Sequence, residues 1–231
     1  MRRYGEILRR NVLNLLPLGY LNIHPSLLPL YRGPAPVAGA ILAGDSETGV
    51  TIMKLTRQMD SGPILAQATV PLLPDARTGP LTEELFRLGS AMLLQVLPRY
   101  AQGQLHPQPQ DESQASFTQL LHKNDGLIDW SQPAVVIERM TRAYDPWPMA
   151  FTIWRGQHLK VRVVRALPSR HDTSASPGTL IALAEGPLVV TGGGLCELLE
   201  VHPAGKRPMS AAQWLSGQRD ALGGRFERLS V

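Results

Sequence analysis

The chain has 231 residues, of which 43% are hydrophobic and 18% are charged, and its formal net charge of +4 is mildly basic rather than histone-like. A single cysteine, Cys196, excludes a disulfide framework and a cysteine-rich metal site, and it favours a reducing cytoplasm. Arg9 and Arg10 interrupt the N-terminal apolar run, and no stretch approaches the roughly 18 apolar residues of a membrane-spanning helix, so we expect a cytoplasmic protein without a membrane partner.

The first hundred residues alternate short apolar runs with helical patterns, which predicts α/β units on a parallel sheet. Thr82 is the expected N-cap of the last helix, and Gly62 is expected to supply a positive φ in the turn before the last strand. Three strands make a thin sheet, so we expect an N-terminally incomplete Rossmann-like domain over residues 1–101. Its predicted helices are 6–16, 37–43 and 82–100, and its predicted strands are 20–24, 49–55 and 64–71.

The second half begins after a change in composition. Residues 102–116 are rich in Gln, Pro, Gly and His, which predicts an extended linker. Closely spaced strands with Gly and Pro between them then predict a small OB-like β-barrel over residues 117–231. Its predicted helices are 135–143 and 210–217, and its predicted strands are 150–154, 159–164, 178–184, 187–191 and 196–202. Cys196 is expected to be a small buried side chain rather than a nucleophile.

Asn22 and His24 are the first candidates for chemistry. They are two residues apart on a predicted strand, so their side chains project from one face, and Pro25 places them at the carboxyl end of that strand. Open α/β sheets bind ligands at this edge. A buried strand should be apolar, so the two polar residues require either hydrogen-bond partners or a function, and this pattern alone leaves both possibilities open.

The neighbouring segments carry a family resemblance. Residues 22–36, 49–53 and 59–65 together resemble the catalytic core of the formyltransferase family that uses 10-formyltetrahydrofolate. Residues 123–130, 142–143, 146–148 and 205–209 resemble the second domain of the branch that acts on methionyl-tRNA. The resemblance implies formyl transfer from 10-formyltetrahydrofolate to the α-amino group of initiator methionyl-tRNA during translation initiation, by a protein that is monomeric if complete.

The same resemblance implies roles for individual residues. Asn22, His24 and Asp60 match the catalytic residues of the family, and attack of an amine on a formyl carbon requires both oxyanion donors and proton transfer. A short loop matches the segment that contacts folate: Ser26, Leu27, Leu28 and Pro29. The histidines show no ligand spacing, and Asp125 and Asp129 flank a predicted turn, so no metal is expected.

Basic residues concentrate in the second half. From residue 155 to residue 170 the chain carries five cations and no acidic residue, which is the pattern of a phosphate-binding surface: Arg155, Lys160, Arg162, Arg165 and Arg170. Lys206 joins this set of expected tRNA contacts through the resemblance. A solvated strand face with no ligand is the alternative interpretation.

Two other functions stay open at this point. Members of the same superfamily act on an amino sugar or hydrolyse formyl-folate with the same Asn, His and Asp centre, although a sugar enzyme gives no reason for a basic barrel. Complete family members also have several strands before the segment matched by residues 4–8. A non-catalytic fragment that keeps RNA affinity is therefore a further hypothesis.

Overall fold

The computed structural model describes residues 10–13, 15–168, 175–183 and 186–227. The chain divides into two compact units, Met1–Leu120 and Leu121–Val231. The described residues of the first unit form three α-helices, three strands and a 3-10 helix (Glu112–Gln114): α1 (Arg10–Leu13), β1 (Leu21–His24), α2 (Pro36–Ala43), β2 (Glu47–Lys54), β3 (Ile64–Pro71) and α3 (Thr78–Ala101). The first part of the predicted helix 6–16, residues 6–9, lies outside the described residues.

The sheet of the first unit is antiparallel, which overturns the predicted parallel arrangement. Its order is β1-β2-β3, with His24 opposite Thr51 and Val50 opposite Ala68. The helix between β1 and β2 suggested a parallel crossover, but α2 rises only about 12 Å, less than half of the roughly 27 Å length of β2. Along β3, half-buried or buried positions alternate with more exposed ones, a pattern typical of antiparallel strands with one solvated face.

Helix α3 covers one face of this sheet. Val96 and Tyr100 pack with Ile52 and Leu65 in a buried cluster. Gly89 lets the helix approach β1, because a Cβ atom at this position would lie 2.4 Å from Cγ2 of Ile23. This close approach fixes the distance between α3 and β1, and therefore the position of the polar residues at the end of β1.

The start of α3 was predicted four residues too late. Its N-cap is Arg77, which makes no side-chain capping bond. Thr82 is not a cap, because its hydroxyl donates to the carbonyl oxygen of Thr78 inside the helix, at 2.6 Å. Pro80 reads as a helix breaker in the sequence, but it lies in the first turn, where a missing backbone N–H removes no helical hydrogen bond.

The segment of the predicted linker pairs with the first unit, and it contains a short 3-10 helix, Glu112–Gln114. The N–H of Ile64 donates to the carbonyl oxygen of Gln108 at 2.7 Å, and the reverse bond is 2.8 Å. The N–H of Arg32 donates to the carbonyl oxygen of Ser116 at 2.9 Å. The boundary between the units therefore lies at 120/121 instead of 116/117. We call residues 108–118 the strap; its polar composition did not indicate pairing because these bonds use the backbone.

The second unit is built on a six-stranded antiparallel sheet. The order is β4-β5-β8-β7-β6, and β9 pairs with β8. Its elements are α4 (Ala134–Ala143), β4 (Phe151–Trp154), β5 (Gln157–Leu167), β6 (Leu180–Leu183), β7 (Gly186–Val190), β8 (Leu195–Pro203), β9 (Met209–Ser210) and α5 (Ala211–Ser216). The five predicted strands and two predicted helices are confirmed within the described residues; β9, with two residues, is too short to give a pattern.

Aromatic rings form the centre of the second unit. The ring of Phe226 lies 5.3 Å from that of Trp130 and 5.2 Å from that of Trp154, and Trp154 meets Trp214 edge-on at 5.7 Å. Cys196 is fully buried in the same core, as predicted. Burial, together with the charge of Glu138, raises the pKa of its thiol to about 12, so the thiol stays protonated and unreactive.

Candidate active site

Asn22 and His24 end β1 with their side chains on one face of the strand. His24 is buried, with 4% of its surface exposed, whereas Asn22 is half-buried. Within the part of the chain that the structure describes, no group hydrogen-bonds the Asn22 amide. Asn22 therefore keeps a free donor beside a buried imidazole.

The hydrogen bonding of His24 assigns its tautomer. Nε2 lies 3.0 Å from the carbonyl oxygen of Tyr31, and because a carbonyl only accepts, Nε2 carries the hydrogen. In the neutral ring, Nδ1 then holds the free lone pair. Burial lowers the pKa of His24 below its ordinary value of 6.5, although the Asp60 carboxylate and the Tyr31 carbonyl act in the opposite direction. The imidazole is therefore neutral at pH 7 and basic at Nδ1.

Asp60 faces this free nitrogen from the turn after β2. Its Oδ2 atom lies 3.8 Å from Nδ1 of His24 and accepts a hydrogen bond from the Gly33 N–H at 2.8 Å. A separation of 3.8 Å is too long for a direct hydrogen bond. A substrate group that carries a proton can instead enter between Nδ1 of His24 and Oδ2 of Asp60 and donate to these acceptors.

The turn that carries Asp60 corrects the expectation for Gly62. Asp60 itself has the positive φ, at 48°, a conformation that Asp tolerates better than most residues. Gly62 is required for a different reason, since a Cβ atom there would lie 1.7 Å from the carbonyl oxygen of Lys54. The sequence therefore indicated that Gly62 is required, but the requirement is space beside the Lys54 carbonyl oxygen and not a positive φ.

The predicted folate segment is a loop anchored to β2. Thr51 donates its hydroxyl to the Ser26 carbonyl oxygen at 2.6 Å and accepts from the Leu28 N–H at 3.1 Å. Ser26 and Leu28 are buried, so their side chains support the loop, whereas Leu27 and Pro29 are half-buried and accessible to a ligand. Leu27 opens into a cavity of about 470 Å³ with further lining residues: Leu30, Tyr31, Asp45, Ser46, Glu47 and Thr48.

The basic residues of the second unit share an exposed face because β5 contains a bulge. The register shifts around Val163, so Lys160 and Arg165 are both exposed although they are five residues apart. Arg162 pairs with Glu200, and Nε of Arg165 lies 3.4 Å from Oε2 of Glu197.

The remaining predicted tRNA contacts lie outside β5. Arg155 stacks over the Trp154 ring and donates to the carbonyl oxygens of Arg219 and Asp220. Lys206 is exposed in the turn after β8. Arg170 lies outside the described residues. Arg155, Lys160 and Lys206 make no ion pair with any described residue, so their charges are less neutralised than those of Arg162 and Arg165.

The described residues contain no cluster of three His, Cys, Asp or Glu side chains that could hold a metal ion. None of the helices that these residues form is long and apolar enough to cross a membrane.

Comparison with known families agrees with this geometry. Residues 1–97 match the family described as "Formyl transferase", and residues 120–219 match "Formyl transferase, C-terminal domain". The chain belongs to the formyl transferase family.

Individual relatives and solved structures resemble this chain over most of its length. A "Methionyl-tRNA formyltransferase" of Roseiflexus sp. (strain RS-1) is 62% identical over 98% of this chain, which spans 71% of that relative. Among solved structures, HypX from Aquifex aeolicus in complex with tetrahydrofolic acid shares the fold, with a TM-score of 0.60 and 23% identity over 84% of this chain and 34% of that one. A methionyl-tRNA formyltransferase from Clostridium thermocellum superposes with a TM-score of 0.55 and 19% identity, covering 73% of this chain and 71% of that one.

Sequence reasoning missed the groups that orient the centre. The Tyr31 carbonyl and the Gly33 N–H are backbone groups, so no side-chain pattern identifies them. Arg32 gave a partial signal, as the single charge in a loop rich in Pro and Gly. Gln110, whose Nε2 donates to the carbonyl oxygens of Asp60 and Gly62, gave no signal, because a glutamine is common in a polar segment.

Proposed function

We propose that this protein transfers the formyl group of 10-formyltetrahydrofolate to the α-amino group of initiator methionyl-tRNA, in the cytoplasm, at translation initiation. The observation that carries the proposal is the basic Nδ1 of His24, which faces the Asp60 carboxylate at 3.8 Å, with Asn22 two residues earlier on the same face of β1. Family membership and the names of the relatives support the same reaction.

The two units take different parts in this proposal. The first unit is part of a Rossmann-like catalytic domain, and its three antiparallel strands and α3 hold the reaction centre. The second unit is an OB-like barrel that binds tRNA. The names of the relatives, "Methionyl-tRNA formyltransferase" over 98% of this chain in one case, favour a tRNA substrate over an amino sugar.

Asn22 and His24 supply the polar chemistry of the transfer. As the α-amine attacks the formyl carbon, the carbonyl oxygen becomes an oxyanion, and the free Asn22 amide donates a hydrogen bond to it. Nδ1 of His24 accepts the proton that the amine releases, and the Asp60 carboxylate stabilises the resulting imidazolium. His24 then delivers that proton to N10 of the folate as the bond between the formyl carbon and N10 breaks. One proton moves from the amine to the folate, and no acyl-enzyme forms.

Folate binding is assigned to the loop Ser26, Leu27, Leu28 and Pro29. Leu27 and Pro29 present accessible apolar surface, which suits an aromatic ring system, while Ser26 and Leu28 hold the loop on β2. Asp45 and Glu47 make the adjacent cavity acidic, so we place the anionic glutamate tail of the folate away from it.

The basic face of the second unit is assigned to phosphate contacts. Its proposed members are Arg155, Lys160, Arg162, Arg165 and Lys206. Lys160 and Lys206 contribute most, since Glu200 and Glu197 already neutralise Arg162 and Arg165.

Substitutions of the three central residues test the reaction. In the full-length protein, Asn22→Ala, His24→Ala and Asp60→Ala are each expected to lower the rate of formyl transfer to methionyl-tRNA by at least about a hundredfold. His106→Ala, which removes an exposed histidine of the same unit, is the matched control and should keep the parent rate. Near-normal turnover in any of the three removes that residue from the mechanism, and a parent that formylates no methionyl-tRNA refutes the function.

A further inference from the structure

Gln110 of the strap holds the backbone of the turn that carries Asp60. Its Nε2 donates to the carbonyl oxygen of Asp60 at 2.8 Å and to that of Gly62 at 2.7 Å. Its Oε1 accepts from Nε of Arg32 at 3.0 Å and from Nη2 of the same guanidinium at 2.7 Å. All hydrogen-bonding positions of the amide are occupied, and the two sets of partners permit only one orientation of it.

Arg32 is fixed in turn. Only 2% of its surface is exposed. Its Nη1 and Nη2 donate to the two carboxylate oxygens of Glu112 at 2.9 and 2.8 Å, and the guanidinium lies 5.8 Å from the centre of the Phe117 ring. A bidentate pair of this kind is strongly directional. Arg32 therefore orients Gln110, and its charge is not available to a substrate.

The strap also fixes the other contact of His24. Ser116 accepts at Oγ from the Tyr31 N–H at 2.8 Å, and its carbonyl oxygen accepts from the Arg32 N–H at 2.9 Å. The Tyr31 carbonyl is the group that binds Nε2 of His24. Thus the groups facing both ring nitrogens, the Tyr31 carbonyl and the Asp60 carboxylate, are held by one segment.

We propose that Gln110 is a positioning residue for formyl transfer, which sets the Asp60 carboxylate against Nδ1 of His24. The inference rests on the proposed function. Asp60 has a left-handed backbone conformation, which is less common even for Asp than a right-handed or extended one and is stabilised by contacts from its surroundings. The two hydrogen bonds from Gln110 supply that constraint on either side of Ser61.

Gln110→Glu tests the inference with almost no change of shape. The carboxylate still accepts from Arg32, but it places an oxygen against the carbonyl oxygens of Asp60 and Gly62, which lose their donor. We expect kcat for formyl transfer to fall about ten- to hundredfold, because displacement of a reacting group by about 1 Å has effects of this size. KM for both substrates is expected to stay within about twofold, since Gln110 contacts neither.

The titration of His24, followed by NMR of the folded protein, provides a second measurement. Asp60 is the charged group that faces the imidazole, and its carboxylate raises the pKa of His24. A displaced Asp60 therefore moves the titration midpoint of His24 to lower pH. A general loss of stability does not move this midpoint in the folded protein.

Gln108→Glu is the matched control. It makes the same chemical change two residues away, at an exposed side chain whose amide donates only to the His106 carbonyl oxygen. It should leave kcat and the His24 midpoint at the parent values. Gln110→Met is the second variant: it removes all four hydrogen bonds of the amide without adding charge, so its His24 midpoint is free of the added carboxylate of Gln110→Glu, which itself acts to raise the pKa of His24. The same two changes are expected, also if Gln110→Glu does not fold.

The outcomes separate the two proposals. Gln110 variants that keep both the parent kcat and the parent His24 midpoint overturn the positioning role, and the proposed function survives. A parent without formyl transfer refutes the function, while the shift of the His24 midpoint still decides whether Gln110 positions Asp60.

Discussion

The first unit places its candidate residues inside the fold, whereas the second displays them on its surface. His24 and Arg32 are buried; His24 is hydrogen-bonded to the Tyr31 carbonyl oxygen, and Arg32 is hydrogen-bonded to the strap. Lys160 and Arg165 project from one face of β5, above a core that is complete without them. In the first unit, function and packing therefore depend on the same contacts, and in the second they are separate.

The largest expected loss of stability follows from a substitution in the core of the second unit. Phe226→Ala should lower the free energy of unfolding of this unit by about 3–5 kcal/mol, because the ring contacts three tryptophans and leaves a cavity. Denaturant unfolding, followed by tryptophan fluorescence for the second unit and by far-ultraviolet circular dichroism for the first, measures the losses. Phe117→Ala, at an exposed ring over Arg32, should cost about 1 kcal/mol or less. Equal losses would contradict the separation of core and surface.

The next effect tests whether packing and function coincide in the first unit. Gly62→Ala places a Cβ atom against the Lys54 carbonyl oxygen, so we expect a loss of about 1–3 kcal/mol in stability. Because the turn also positions Asp60, the rate of formyl transfer should fall at least about tenfold. Gly193→Ala has ordinary contacts, 3.6 Å to Pro133, and should leave both quantities unchanged. A destabilised but fully active Gly62→Ala would separate the two properties.

Acid should weaken the first unit through His24. Burial holds the pKa of His24 below 6.5, so between this depressed pKa and pH 6.5 the unfolded chain binds more protons than the folded one. The free energy of unfolding therefore falls as the pH is lowered through this window. The contribution of the neutral, buried His24 to stability is fully present above pH 6.5. Formyl transfer should decline at lower pH, as the pH falls through the depressed pKa of His24 and Nδ1 becomes protonated in the folded protein. His24→Gln should flatten the pH dependence of stability; an unchanged slope would assign it to other groups.

Substitutions on the basic face of the second unit should have the smallest effect on stability, but they should have a clear effect on tRNA binding. Lys160→Gln combined with Lys206→Gln should change the free energy of unfolding by less than about 0.5 kcal/mol. The slope of log affinity for tRNA against log salt should decrease by about 1 for each phosphate that the variant no longer binds. Arg162→Gln with Arg165→Gln should change this slope less, because both side chains are already paired. No change in either double variant would exclude this face as the tRNA contact.

Local patterns in the sequence predicted the elements well and their pairing poorly. The strand over residues 64–71 and the helix starting near residue 135 follow from periodicity and flanking Pro and Gly residues, and both are present. The direction of β1 against β2 was wrong, since the order of strands and helices does not fix strand direction. The bulge in β5 was also unexpected, because it arises from pairing with β8.

The candidate site shows the same limit. Asn22, His24 and Asp60 were chosen from residue types, spacing and resemblance, and the structure brings His24 and Asp60 to 3.8 Å. The tautomer of His24 was not predictable, since it depends on the carbonyl of Tyr31, seven residues away. The role of the strap was hidden for the same reason, because its bonds are made by backbone groups and by one glutamine.

The sequence by itself determined the division into an α/β half and a β-rich half, the burial of Cys196 and the residue types of the candidate site. These properties are recorded in local periodicity and composition. Only the tertiary structure decided the antiparallel sheet, the neutral Nδ1 of His24 and the link from Arg32 through Gln110 to the turn of Asp60. Arg32 and Gln110 are 78 residues apart, and a contact at such a distance is set by how the segments pack, which no local pattern encodes.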